Sequence, residues 1–334
     1  MPEGHAATGG VGGGLLDPEW IREMTAEVAE VEAEIAVRFH GRSDPRRPVH
    51  SVVVPTQQFD AGVARRWGRM AMRHLDEYFP DFVSFAQALE LEGYDGLPAA
   101  NDRRVRVFAE LEQDVLTVPP LQMGIFLASS VYRRVIAKLE DEPVEELRVD
   151  FSTVGDEQEE DAQAERLAGE IDRARDHGDL PPTVGLCTRS PSADRLPRLF
   201  RTLERLLGGL ADTEGGVPDA FAVTLPAIVA PTQVAAVARG LGRLESILGL
   251  AAGSLRLEVV VETPRAVLGI DGRSSLPALL DAADGRLRTV HLGSRSYASA
   301  CDRVVDSRGG MAGDGVLHEI VLAAFAGTGV GLAD

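Results

Sequence analysis

Lysine is almost missing from this 334-residue chain: Lys138 is the only one, so every other member of its 34 basic side chains is an arginine. Schiff-base catalysis needs a lysine amine inside the active site. Lys138 lies in VYRRVIAKLEDEPVEEL, a helical stretch ahead of a strand, which argues against an aldolase of that type. Positive charge as a whole is outweighed. Against 52 carboxylates the formal net charge is -18, a field that repels phosphate backbones and excludes general nucleic-acid binding. No apolar run approaches the roughly 20 residues that span a bilayer. The opening MPEGHAATGGVGGG has neither the basic start nor the apolar segment of a secretion signal. Cys187 and Cys301 are too far apart for a CxxC pair, so both are expected as free thiols. Together these absences predict a soluble, cytoplasmic protein with no nucleic-acid or membrane partner.

Familiar catalytic motifs are absent as well. His318–Glu319 begins an HExxH pattern, but position 322 is leucine, so no zinc pair forms on that helix. No GxSxG is found, which removes a nucleophile elbow.

What is present is a rhythm. Residues 1–16 read as a disordered Gly-rich tail, and Asp17–Pro18 as the cap and first turn of an amphipathic helix that leads through a polar linker to residue 47. Short β-branched runs then alternate with helical stretches. Strands are predicted at His50–Val54, Glu146–Phe151, Thr183–Cys187, Ala220–Leu225, Ser254–Glu262, Leu287–Leu292 and Gly329–Leu332. Helices are predicted at Ala61–Glu77, Met123–Leu139, Glu157–His177, Leu196–Leu210, Pro231–Leu248 and Val316–Ala326. Read as near-continuous apolar runs, such strands imply a parallel sheet covered by helices. The pattern fits one (β/α)8 TIM-barrel-like domain over 17–334, with a helical insertion at 80–120. Seven strands leave the ring one short: it is open, borrows a strand from a partner, or holds one more that the pattern hides.

Barrel chemistry gathers at the C-terminal ends of strands. Those ends supply Ser152 and Thr153, Cys187 and Arg189, Glu262, and Arg295, Ser296 and Tyr297. Glu262 ends the apolar run VVVE, where an unpaired charge is costly to bury. Period-two alternation places Glu258 on the same face.

The segments RPVHSVVVPTQQFDAG, KLEDEPVEELRVDF, TLPAIVAPTQVAAVARGLGRLE, SLRLEVVVETPRAVLG and GRLRTVHLGSRSYASAC resemble the HpcH/HpaI aldolase and citrate lyase β-subunit superfamily. The resemblance implies a TIM barrel that makes or breaks carbon–carbon bonds beside a carboxylate or thioester. It also implies Mg²⁺ held by a fifth-strand glutamate, here Glu262, and a sixth-strand aspartate. This chain departs from that pattern at the site. Ser296 stands where the aspartate is expected, Ser152 and Thr153 replace an acidic pair, and Cys187 replaces a substrate-binding arginine, with Arg189 two residues on. Glu262 alone makes a poor Mg²⁺ site.

Three functions follow as expectations. The first is a divergent enzyme that cleaves, condenses or cyclises a small carboxylate or acyl substrate without the metal, working as a homo-oligomer. In it Glu262, Arg295 and Ser296 are catalytic, while Arg189, Cys187, Ser152, Thr153 and Tyr297 bind substrate. The second is a non-catalytic partner or scaffold. The third is a conventional Mg²⁺-dependent lyase.

Overall fold

The computed structural model describes residues 17–41, 48–97, 123–219, 221–303 and 314–333. The Gly-rich tail and most of the 80–120 insertion therefore lie outside the described residues.

The chain enters through α1 (Pro18–Arg38), whose cap is Asp17: its carboxylate accepts the Glu19 N–H at 2.9 Å. Seven strands follow: β1 (Ser51–Pro55), β2 (Glu146–Asp150), β3 (Thr183–Cys187), β4 (Ala222–Leu225), β5 (Arg256–Val261), β6 (Leu287–Leu292) and β7 (Gly331–Ala333). They pair in chain order, all parallel, and among the described residues β1 and β7 remain unpaired edges. Between them run α2 (Val63–Tyr78), α3 (Phe82–Ala88), α4 (Met123–Asp141), α5 (Glu157–Asp176), α6 (Leu196–Ala211), α7 (Pro231–Leu248), α8 (Pro264–Val267), α9 (Leu276–Ala282), α10 (Ser294–Ala300) and α11 (Asp314–Phe325). No described helix is long and apolar enough to cross a membrane.

The helices cover the sheet through one apolar layer. Leu203, Leu206, Leu207 and Leu210 of α6 and Val234, Val237 and Leu241 of α7 are fully buried, against Leu147, Val149, Leu186, Val223, Leu257 and Val259 from the strands. Those strand residues are alternate ones. The other face carries Glu146, Arg148, Thr183, Thr224, Glu258 and His291. The expectation of near-continuous apolar strands is thus corrected: period-two alternation makes one face oily and the other polar.

Contacts across the polar face show that it is concave. Arg148 on β2 meets Glu258 on β5 at 2.5 Å, and Arg288 on β6 lies 3.6 Å from Glu146 on β2. On a flat sheet β2 and β6 stand about 19 Å apart, too far for two side chains to bridge. The seven strands therefore form a curled, open half-barrel whose hollow is filled with charge rather than with the stacked aliphatic layers of a closed barrel.

At the N-terminal end of the strands, Arg286 forks onto both oxygens of Glu245 (2.6 and 2.8 Å), which also accepts the Gly253 and Leu255 amides and so fixes the turn into β5. Lys138 belongs to this end too, paired with Glu145 at 2.5 Å and remote from the strand C-termini. Gly185 faces the hollow on β3, where a β-carbon would collide with the Ala222 carbonyl of β4. Gly185→Ala should cost about 2 kcal/mol or more in chemical denaturation through overpacking. Gly208→Ala, in open space on α6, should instead gain about 0.5–1 kcal/mol.

Candidate functional site

The polar hollow is organised by Arg148, which is 1% exposed. Its Nε donates to Glu258 Oε2 (2.8 Å), while Nη2 reaches Glu258 Oε1 (2.5 Å) and Glu146 Oε1 (2.6 Å). Ser51 Oγ donates to the second Glu146 oxygen, and Thr224 Oγ1 to Glu258 Oε2 at 2.7 Å. Burial alone would raise the Glu258 carboxyl; the Arg148 guanidinium outweighs it and holds the group well below the ordinary carboxylate range.

His291 completes the cluster. It stands in register with Val260 on the concave face, with Nε2 3.2 Å from Glu258 Oε2. An ionised carboxylate only accepts, so Nε2 must carry the hydrogen, and in the neutral ring Nδ1 holds the free lone pair. No described residue bonds Nδ1, and the side chain is 21% exposed, whereas the charged groups of Glu146, Arg148 and Glu258 beneath it are buried. Position, orientation and a fixed tautomer are what an acid/base histidine needs.

The residues expected from sequence lie along the C-terminal rim in separate groups. At β5 and β6, Gly293 packs so closely on Glu262 that any β-carbon there would strike the Glu262 side chain. Glu262 Oε1 accepts the Ala227 N–H at 2.6 Å, clamping a turn in which Ala227 holds φ 51°, a conformation costly for a non-glycine residue. Arg295 and Ser296 are exposed on α10. Tyr297 turns into the core, where burial and the neighbouring Cys301 raise its phenol above the ordinary value.

At β2 and β3, the exposed Ser152 is pinned by backbone and hydroxyl to Asp150 (2.8 and 3.0 Å), with Thr153 exposed beside it. Cys187 is in register with Asp150. Burial, then the Asp150 charge, pushes its thiol up to about 12, so it serves as a neutral wall rather than a thiolate. Arg189 is drawn to Glu160 of α5 (3.8 Å) and lines a crevice with Leu186 and Arg198 on the helix side of the sheet. It faces away from the hollow.

The Mg²⁺ that the resemblance implies finds no matching donor set among the described residues. Among the described residues no group of three or more His, Cys, Asp or Glu side chains is placed to hold a metal ion. Glu262 spends one oxygen on a backbone amide, and the sixth-strand position offers only the exposed hydroxyl of Ser296.

Two outcomes test this geometry. The depressed Glu258 carboxyl stabilises the fold fully above the unfolded value near 4.5 and progressively less as pH falls beneath it. The stability gap between wild type and Glu258→Gln, measured by urea denaturation, should therefore be widest near neutrality and narrow below pH 4.5. Cys187 should resist iodoacetamide at pH 8, with alkylation followed by mass spectrometry at least about tenfold slower than for an unhindered thiol.

The family model of a domain of unknown function, DUF6986, matches residues 28–334. No curated protein matches the chain. Among solved structures, the chain is similar to a malate synthase of Haloferax volcanii at 16% identity and a TM-score of 0.43, covering 56% of this chain and 51% of that one. It is similar to an HpcH/HpaI aldolase/citrate lyase family protein of Burkholderia cenocepacia at 19% identity and a TM-score of 0.38, over 57% of this chain and 70% of that one. A citrate lyase of Burkholderia xenovorans gives 19% identity, a TM-score of 0.43, and coverage of 60% and 58%. The chain thus spans about half the length of the malate synthase. By the model that spans nearly all of its length, the chain belongs to the DUF6986 family.

Proposed function

We propose that this chain is an enzyme that makes or breaks a carbon–carbon bond, or closes a ring, next to the carboxylate or carbonyl of a small metabolite, without a metal ion. The observation that carries this reading is the Arg148–Glu258–His291 relay on the concave face, with His291 its partly exposed member.

The chemistry follows from proton bookkeeping. His291 Nδ1 removes the proton beside a carbonyl, the electron pair moves onto the carbonyl oxygen, and the ring becomes an imidazolium. Glu258 stabilises that cation at Nε2, and Arg148 keeps Glu258 ionised while blocking its protonation. The imidazolium then returns the proton, to the same carbon in simple exchange, or to the alkoxide formed when the enolate carbon attacks a second carbonyl; cleavage is the reverse, His291 taking the hydroxyl proton while the electron pair of the carbon–carbon bond moves into the enolate, which is then protonated. Arg295, exposed at the end of the same strand and without a described carboxylate partner, supplies the cation that grips the substrate carboxylate and the developing oxyanion. Glu262 holds the Ala227 turn with one oxygen, leaving the other for acid/base work at the mouth. Ser296 is the hydroxyl donor beside it.

Enolate formation can be read without knowing the final substrate. In D₂O with EDTA present, wild-type protein should exchange the methyl protons of pyruvate, or the C3 protons of a related 2-oxo acid, as followed by ¹H NMR. His291→Asn should slow exchange about 100-fold or more with an unchanged circular dichroism spectrum. Exchange that appears only when Mg²⁺ is added, no exchange with any 2-oxo acid, or full activity in His291→Asn would each overturn the proposal.

A further inference from the structure

Two residues beyond Arg148, β2 ends in a carboxylate that the proposed reaction does not use. Asp150 is in register with Cys187 of β3, and Cys187 with Thr224 of β4. Partners in a parallel ladder share a face, and Thr224 donates to Glu258. Asp150 therefore stands on the concave face with Cys187, Glu258 and His291. The Cys187 thiol feels both sides of this space: after burial, the Asp150 charge raises it most, with Arg148 opposing and Glu258 adding.

Asp150 is held but not neutralised. Its Oδ1 accepts the Ser152 N–H (2.8 Å) and its Oδ2 the Ser152 hydroxyl (3.0 Å), which fixes the carboxylate and leaves each oxygen a lone pair. Arg148 gives Nε and Nη2 to Glu258 and Glu146, and Nη1 to the Leu147 carbonyl, so it does not turn to Asp150.

Charge decides what Asp150 can meet. Deeper in the hollow, Glu146 and Glu258 are matched by Arg148 and Arg288. At the strand ends, among the described residues, Asp150 and Glu262 have no ion-pair partner, Arg189 faces away, and Arg295 is assigned to the substrate carboxylate. A substrate bringing a carboxylate alone would set three negative charges against one guanidinium. An ammonium group on the same substrate adds the second cation, and its three N–H donors suit the free lone pairs of a fixed carboxylate.

We infer that Asp150 is a specificity-determining residue of this site and that the substrate carries an ammonium group, which Asp150 seats, besides the carboxylate that Arg295 grips. The inference rests on the carbon–carbon enzyme reading. Asp150 stays ionised and exchanges no proton, so the proton path through His291 is unaltered.

Mimics that cannot react test it. β-Alanine, γ-aminobutyrate and δ-aminovalerate are compared with the matching unsubstituted and ω-hydroxy acids, for binding to the full chain by saturation-transfer NMR and for inhibition of 2-oxo acid exchange. One amino acid of the series should bind at least about tenfold more tightly than both of its counterparts. Asp150→Asn, which keeps an oxygen for the Ser152 turn, should remove that advantage with circular dichroism unchanged. A hydroxy acid that binds as well as its amino acid, or a preference that survives Asp150→Asn, overturns the inference. Binding is read apart from turnover: exchange of 2-oxo acids without any amino-acid preference removes this assignment alone, whereas preference without exchange keeps the ammonium seat and overturns the carbon–carbon chemistry.

Discussion

A guanidinium buried inside the curl of the sheet is the constraint on which the rest depends. Arg148 has no water to solvate it, so β2 and β5 must bring Glu146 and Glu258 to it within hydrogen-bond reach. An isolated ion in that position would cost several kcal/mol, and the cluster is tolerable only because every charge has a partner of opposite sign. The same contacts fix how tightly the strands curl. They also hold Glu258 Oε2 within hydrogen-bond reach of His291 Nε2, which links the architecture directly to the chemistry.

This arrangement inverts the usual economy of a barrel. The apolar layer lies wholly between strands and helices, where Leu203, Leu206, Leu207 and Leu210 meet the outward strand residues. The inner face is freed from packing and can hold ionised groups at fixed positions. Fixed charges in a water-poor hollow act strongly on a bound substrate and need no reorganisation during reaction. The open seam between β1 and β7 gives that hollow an exposed wall, where Val53 is 57% exposed.

Much of the fold was legible because it rests on local signals. Pro231–Leu248 was bounded by a proline at its start and a glycine after its end, and Asp156 with its run of glutamates marked the first turn of α5. Alternation in ELRVD and LRLEV was equally visible, and it was used at Glu258, but reading the strands as continuous apolar runs kept it from being extended to Arg148. The site was less legible for a physical reason. Arg148 lies 110 residues from Glu258 in the chain and His291 a further 33 beyond it, and only the curl of the sheet brings Arg148 to the other two. The polar inward position repeated in three strands was the one signal that could have found His291. Arg189 was misdirected by the opposite effect: it was assigned by its place after β3, whereas the carboxylate of Glu160 pulls it to the far side of the sheet.

The measurement that bears most directly on this account is the tautomer of His291, read from long-range ¹H–¹⁵N correlations in selectively labelled protein. The account requires a proton on Nε2, facing Glu258, and a bare Nδ1 in the neutral ring. A neutral His291 with the proton on Nδ1, or a ring whose signals ignore Glu258→Gln, would contradict it.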